Sequence, residues 1–138
     1  MRVMGIDFGE RRIGVALSDD GGRVAVPWGV VERDTDRRAV YRLASLARDE
    51  GVEALVLGEP RHPETGERGE AAERVQRFGR KLEKAAKLPV RWVEETLTTV
   101  EAAERLAAAG LDRRDRPERR DAVAAQILLQ QALDEGMA

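Results

Sequence analysis

Asp7 is the first residue of this sequence whose type and setting suggest chemistry. It lies near the end of the apolar, β-prone segment Val3–Phe8, followed by Gly9. A strand that is apolar on both sides is typical of a sheet buried on both faces. A carboxylate there is costly unless it is paired. The setting of Asp7 therefore raises the question of what lies opposite it.

Two further carboxylates are candidates to converge on Asp7. Glu95, or its neighbour Glu94, ends a short apolar strand that begins at Val90. Asp121 precedes Ala124 and Ala125 by three and four residues, so on a helix it shares their apolar face. In open α/β sheets the functional site lies at the carboxyl ends of the parallel strands. The expected cluster is therefore Asp7, Glu95 and Asp121.

Three neighbouring carboxylates repel one another unless a cation lies between them. Oxygen ligands without sulfur or nitrogen suit Mg²⁺ or Mn²⁺. Such ions activate water and stabilise the leaving oxygen in reactions of phosphate esters. The residue types thus predict a Mg²⁺ or Mn²⁺ site that acts on phosphodiesters.

Each carboxylate also has a simpler interpretation. Asp7 could cap a turn, Glu95 could be the first exposed residue after its strand, and Asp121 could be a helix N-cap. Thr98 could serve only as a helix cap. These alternatives depend on where the elements begin and end.

The predicted order of elements is β-β-β-α-β-α-β-α-α. Three antiparallel strands (about 2–8, 12–18 and 23–32) are followed by a helix that Asp34 or Thr35 caps, a buried strand from Val52 to Leu57, and a polar loop from Glu59 to Gly69. A helix over about 70–87, a strand over 90–95, and helices from about 98 to 110 and from Pro117 to Leu133 complete the chain. Pro27 suggests that the third strand is an edge strand. The pattern predicts one α/β domain, a mixed five-stranded sheet with helices on both faces.

Composition excludes several classes of protein. The 138 residues include no cysteine and a single histidine, His62, which excludes disulfides and multi-histidine zinc sites. Neither a signal peptide nor a membrane helix is expected, so we predict a cytoplasmic protein with no membrane partner. The net charge of −2 argues against a uniformly basic nucleic-acid binder.

Basic residues nevertheless cluster in two places. One set lies on the second predicted helix and just after it, and the other precedes Asp121 and includes Arg113, Arg114 and Arg116. Both clusters could contact a nucleic-acid backbone. The alternative is a solvated, charged helix face.

At these positions the sequence resembles a known family. Gly5–Gly9 with Arg12–Ala16 is similar to the first hairpin of the pre-16S rRNA nucleases, also described as Holliday junction resolvases (the YqgF/RuvX group). Gly58-Glu59-Pro60, the segment Glu94–Thr99, and Asp121 followed by Ala124-Ala125 are similar to the family's later motifs. Glu94 and Thr96 depart from the family's usual Asp and Arg, and Arg61-His62-Pro63 stands where the loop after Pro60 is usually apolar and amide-rich in the family.

The resemblance implies an RNase H-like nuclease domain over residues 1–138, with Asp7, Glu95 and Asp121 as catalytic and metal-binding residues. It implies hydrolysis that leaves 5′-phosphate and 3′-hydroxyl ends. The expected nucleic-acid contacts are Arg11, Arg12, Arg61, Thr98, Arg113, Arg114 and Arg116.

The leading hypothesis is a metal-dependent endonuclease that processes the 5′ end of pre-16S rRNA in ribosome biogenesis. An alternative within the same class is a Holliday junction resolvase, which would need a homodimer to cut two strands. A non-catalytic rRNA-binding module is an alternative of another class. An actin-like phosphotransferase shares the fold type but needs two lobes to enclose its nucleotide.

Overall fold

The structure, a computed structural model, describes residues 1–60, 69–95, 104, 107–108, 110 and 116–136, with the backbone alone at residue 95. The strands are β1 (Val3–Phe8), β2 (Arg12–Ser18), β3 (Ala25–Glu32), β4 (Ala54–Pro60) and β5 (Val90–Glu95). The helices are α1 (Asp36–Asp49), α2 (Glu70–Ala86) and α3 (Pro117–Asp134). Among the described residues, none of the helices has the length and apolar character that a membrane span requires.

The five strands form one mixed sheet in the order β3-β2-β1-β4-β5. The pairs β1–β2 and β2–β3 are antiparallel, whereas β1–β4 and β4–β5 are parallel. The predicted sheet is confirmed, and β3 is an edge strand as Pro27 indicated. A register shift in the β2–β3 pairing falls between Val15 and Ala16.

Alternate residues of the central strand supply two separate cores. Met4 and Ile6 pack with residues of α1 and α2, such as Leu43 and Phe78, on one face of the sheet. Val3 packs on the other face with α3, which contributes Leu129 and its neighbours. The predicted arrangement of helices on both faces is therefore confirmed, and α3 alone covers the second face among the described helices.

Two glycines allow α3 to lie directly on the sheet. A Cβ atom at Gly5 would lie 2.6 Å from the Cβ atom of Leu129, and one at Gly14 would clash with the carbonyl oxygen of Asp121. Glycine is used where a backbone must approach this closely. These contacts place the start of α3 on β2 and its middle on β1.

Hydrogen bonds from α3 also secure the beginning of the edge strand. Gln130 accepts a hydrogen bond from the Ala25 N–H at 2.9 Å, and its side-chain amide donates to the Arg23 carbonyl. Gln126 donates to the Ala25 carbonyl at 3.0 Å. Side chains of α3 thus bind main-chain groups at the beginning of β3 and hold that end of the strand in place.

The predicted helix boundaries are largely confirmed. Thr35 is the N-cap of α1 and accepts a hydrogen bond from the Arg38 N–H at 3.1 Å. Pro117 is the first residue of α3, as its fixed φ favours. Of the helix predicted over 98–110, Glu104, Ala107 and Ala108 are helical, and its other positions up to 109 lie outside the described residues.

The predicted end of β4 was wrong. The strand begins at Ala54 and not at Val52, and it does not end at Gly58 but continues to Pro60, so Glu59 belongs to the strand and not to the following loop. The reason is tertiary pairing, because Glu59 and Pro60 lie opposite Glu94 and Glu95 of β5. Gln76 of α2 donates to the Glu59 carboxylate at 3.1 Å, which gives this buried side chain a polar partner.

Candidate active site

Asp7 lies on the face of the sheet that α3 covers. It is half-buried near the carboxyl end of β1 and is directly opposite Gly14 of β2. Directly opposed residues of an antiparallel pair point to the same face, and the Gly14 position faces the start of α3. The chain thus directs Asp7 toward the helix that carries Asp121.

Asp121 is the fifth residue of α3, and its main chain rests on Gly14. The helix therefore brings Asp121 next to the position that Asp7 faces. The Asp121 Oδ2 atom accepts a hydrogen bond of 2.9 Å from Nε of Arg12, the first residue of β2. The simpler interpretation as an N-cap is wrong, since Arg116 holds that position.

The apolar stripe predicted beside Asp121 needs one change. Ala125, Leu128 and Ala132 are buried against the sheet as expected, together with Leu129, whereas Ala124 is only half-buried. Asp121 remains at the edge of this stripe, one turn before Ala125. Its side chain is 37% exposed, which leaves it open to a ligand.

Residue 95 falls on the same face of the sheet by register. Val93 of β5 is buried in the core beneath α3, and residue 95 has the same parity along the strand. Trp92 contacts the Gly79 position of α2 on the opposite face, and residue 94, two positions further along the strand, points to that same opposite face. The backbone thus favours Glu95 over Glu94 as the partner of Asp7 and Asp121. The side chain of Glu95 lies outside what the structure describes.

Little side-chain volume separates β1 from β5 on this face. The intervening strand β4 presents Gly58 next to Val93, followed by Pro60 next to residue 95. Gly58 has no side chain, so at this point only the main chain of β4 lies between Asp7 on β1 and residue 95 on β5.

The described residues contain no group of three or more Asp, Glu, His or Cys side chains placed to hold a metal ion. The third carboxylate of the predicted set is the one at residue 95. The donor chemistry of Asp7 and Asp121 fits a hard divalent cation, because both offer only carboxylate oxygens. The residues that could hold Mg²⁺ or Mn²⁺ are therefore Asp7 and Asp121, with Glu95.

The expected nucleic-acid contacts fall into three groups. Arg11 is exposed in the β1–β2 turn, and Arg116 is exposed at the N-cap of α3. Arg12 is half-buried and bonded to Asp121, which raises the pKa of its guanidinium through that hydrogen bond and keeps it charged. Arg61, Thr98, Arg113 and Arg114 lie outside the described residues, as does His62.

Arg33 is a site residue that the sequence did not reveal. Its guanidinium lies 4.3 Å from the ring centroid of Phe8 and donates to the carbonyls of Gly9 and Glu10. It thereby fixes the turn that follows Asp7. No local pattern signals this role, because Arg33 is 24 residues away from Gly9 in the chain.

Arg33 also lines a cleft of about 210 Å³ at the carboxyl ends of β1 and β4. Arg74 of α2 also lines it, and Phe8 and Val75 form its apolar part. The cleft is on the α2 side of the sheet edge, opposite to α3. Two arginines at one cleft offer donors that match phosphate oxygens.

Solved structures define the class of protein to which this fold belongs. The chain is similar to Thermus thermophilus RuvC in complex with Holliday junction substrate, with a TM-score of 0.61, 20% identity, and coverage of 100% of this chain and 96% of that one. It is also similar to the fowlpox virus Holliday junction resolvase, with a TM-score of 0.63, 13% identity, and coverage of 98% and 99%. The fold is thus that of the RNase H-like class.

Sequence comparison identifies the family within that class. The model of the family described as RuvX, Holliday junction resolvase, matches residues 1–135, and the chain belongs to this family. Proteins named "Putative pre-16S rRNA nuclease" are similar over nearly the whole chain. That of Syntrophus aciditrophicus is 45% identical, covering 97% of this chain and 89% of its own length. That of Moorella thermoacetica is 43% identical, with coverage of 97% and 95%.

Proposed function

We propose that this chain is a Mg²⁺- or Mn²⁺-dependent endonuclease that hydrolyses phosphodiester bonds of structured nucleic acid. The observation that carries the proposal is the convergence of two elements at Gly14. Asp7 of β1 lies opposite Gly14 of β2, and the main chain of Asp121 in α3 contacts Gly14. The register of β5 adds residue 95 to the same face. Membership of a nuclease and resolvase family supports the same activity.

The chemistry follows from the groups present. Asp7, Glu95 and Asp121 would hold the divalent ion, which when bound activates water and stabilises the leaving oxygen. Arg11 and Arg116, both exposed beside this site, would bind phosphates of the strand. Arg33 keeps the turn after Asp7 in place through the Gly9 and Glu10 carbonyls. The expected products carry 5′-phosphate and 3′-hydroxyl ends.

The substrate that we favour is the 5′ leader of pre-16S rRNA. Relatives at 38–45% identity over nearly the whole chain carry the name of pre-16S rRNA nucleases. Residues 1–138 would then act as one nuclease domain in the cytoplasm, where ribosomal precursors are processed.

A Holliday junction is the second candidate substrate. The family description names this activity, and RuvC and the fowlpox virus enzyme share the fold. Resolution requires two active sites related by symmetry, and hence a homodimer. A protein that stays monomeric at assay concentrations, measured by sedimentation, would contradict resolution while leaving rRNA processing open.

The test is a cleavage panel with Mg²⁺ and with Mn²⁺. Substrates are a pre-16S rRNA leader, single strands of the same sequence, and a four-way DNA junction. We expect Asp7→Asn to fold and bind nucleic acid but to cleave at least about 100-fold more slowly. Asp49→Asn, an exposed position at the end of α1, is the matched control and should cleave normally.

Two results would overturn the proposal. Cleavage by Asp7→Asn at the wild-type rate would show that Asp7 has no catalytic role. Failure of the wild type on every substrate, with tight rRNA binding and no Asp7-dependent Mn²⁺ binding, would instead indicate the rRNA-binding module.

A further inference from the structure

Arg12 and Asp121 form an ion pair across two elements, 109 residues apart in sequence. Nε of Arg12 donates to Oδ2 of Asp121 at 2.9 Å, and the two side chains are 27% and 37% exposed. If Asp121 holds a divalent ion, the same carboxylate has two competing cationic partners. The pair thus links the metal site to an arginine.

The arginine has spare donors. Within the described part of the chain, Asp121 is the sole hydrogen-bond partner of the Arg12 side chain, and it occupies Nε. The two terminal nitrogens of the guanidinium carry four further N–H groups. Arg12 follows exposed Arg11 in the chain and is bonded to Asp121 near the start of α3, whose N-cap Arg116 is exposed. A phosphate bound along this edge would come within reach of the Arg12 fork.

Opening the pair costs little. The two side chains keep 27% and 37% of their surface in water, and ion pairs that remain in contact with water contribute only weakly to stability. The β2 backbone and the α3 backbone also meet directly at Gly14, independently of this pair. A change of partner by Arg12 therefore requires only rotation of its side chain.

We propose that Arg12 exchanges partners during binding. In the free protein it neutralises Asp121, and on binding of nucleic acid it moves to a phosphate and releases Asp121 to the divalent ion. The inference rests on the proposed function and adds a property to it. Metal and nucleic acid then bind cooperatively, and by thermodynamic linkage each tightens the other by the same factor.

The test measures binding without relying on catalysis. Mn²⁺ affinity of the protein alone is determined by isothermal titration calorimetry. Affinity for a fluorescent pre-16S rRNA leader is determined by anisotropy with and without Ca²⁺, and gels confirm that the RNA is intact. For the wild type we expect Ca²⁺ to tighten RNA binding about tenfold, within the usual range of such couplings.

Arg12→Gln should raise the Mn²⁺ affinity of the free protein and reduce the effect of Ca²⁺ on RNA affinity. Without the competing guanidinium, Mn²⁺ should bind the free protein about tenfold more tightly, while Ca²⁺ should tighten RNA binding less than twofold. Arg11→Gln is the matched control, since it removes the adjacent charge but not the pair. It should weaken RNA binding and leave the Mn²⁺ affinity and the coupling unchanged.

Arg12→Lys keeps the charge but loses the guanidinium fork. Its Mn²⁺ affinity and its coupling should lie between those of the wild type and Arg12→Gln. Circular dichroism melting verifies that each variant is folded.

The outcomes separate this inference from the proposed function. If the wild type binds no Mn²⁺, or if Asp7→Asn binds Mn²⁺ as tightly as the wild type does, the metal site itself is wrong. If Mn²⁺ binds in an Asp7-dependent way but with equal affinity in the wild type and Arg12→Gln, the exchange is wrong. Weaker Mn²⁺ binding by Arg12→Gln would also overturn it, because Arg12 would then be positioning Asp121 for the metal.

Discussion

At the scale of single residues, the choice between Glu94 and Glu95 rests on strand parity. We expect Glu95→Gln to slow cleavage about 100-fold or more, because it removes a carboxylate on the face of Asp7. Glu94→Gln is the isosteric control on the opposite face and should cleave at nearly the wild-type rate. Single-turnover cleavage of the preferred substrate measures both. Equal losses in the two variants would show that parity does not select the metal-binding residue.

Asp19 gives a second residue-scale prediction, on the dependence of stability on pH. Its carboxylate accepts hydrogen bonds from the N–H groups of Val24 and Arg23 in the β2–β3 turn, which hold the pKa of Asp19 below its ordinary value of 3.8. Such a group stabilises the fold above the unfolded-state pKa, and this contribution is lost as pH falls through the lower folded-state pKa.

Asp19→Asn should therefore be less stable than the wild type at pH 7, and the difference should shrink below about pH 4. Urea unfolding at pH 7, 5, 4 and 3 measures it. Asp20→Asn is the neighbouring control, whose carboxylate accepts no hydrogen bond among the described residues. A difference that stays constant down to pH 3 would contradict the role of the Asp19 charge.

At the scale of elements, the site depends on how closely α3 approaches β2. Gly14→Ala would place a methyl group against the Asp121 carbonyl, and backbone on both sides limits relaxation. We expect a loss of about 1–3 kcal/mol in the free energy of unfolding, together with slower cleavage because Asp121 moves away from Asp7. Gly21→Ala, with room for its Cβ, should change stability by less than about 0.5 kcal/mol. Unaltered stability of Gly14→Ala would refute this contact.

The elements also show which features the sequence could predict. The β2 bounds, the Thr35 cap and the edge position of β3 follow from local chemistry, and each agrees with the structure. The end of β4 depends on pairing with β5, and the contact of Arg33 with Phe8 depends on the antiparallel pairing of β1, β2 and β3, which brings the residue after β3 close to the end of β1. Neither has a local signal. For the site, sequence placed Asp7 and Asp121 on one face but could not show that Arg12 bonds to Asp121.

At the scale of the whole molecule, a net charge of −2 conceals a segregated basic surface. Arg74, Arg77, Lys81 and Lys84 are exposed along one side of α2 at spacings of three and four residues. We call these four residues the α2 stripe. It spans about 15 Å of helix, given a rise of 1.5 Å per residue. Its first member, Arg74, lines the cleft at the carboxyl edge of the sheet, so the stripe leads away from that edge.

If the α2 stripe carries an arm of the nucleic acid, each lost phosphate contact should reduce the steepness of the salt dependence. The slope of log K against log salt changes by about 0.7–0.9 per contact. We therefore expect Arg77→Ala/Lys84→Ala to lower the magnitude of the slope by about 1.4–1.8, measured by anisotropy from 50 to 200 mM salt. Arg37→Ala/Arg48→Ala removes two exposed arginines from α1 on the same side of the sheet and should leave the slope unchanged. If Arg77→Ala/Lys84→Ala has the same slope as the wild type, the α2 stripe is a solvated helix face. The substrate is then held only at the edge where Asp7, Arg11 and Arg116 lie.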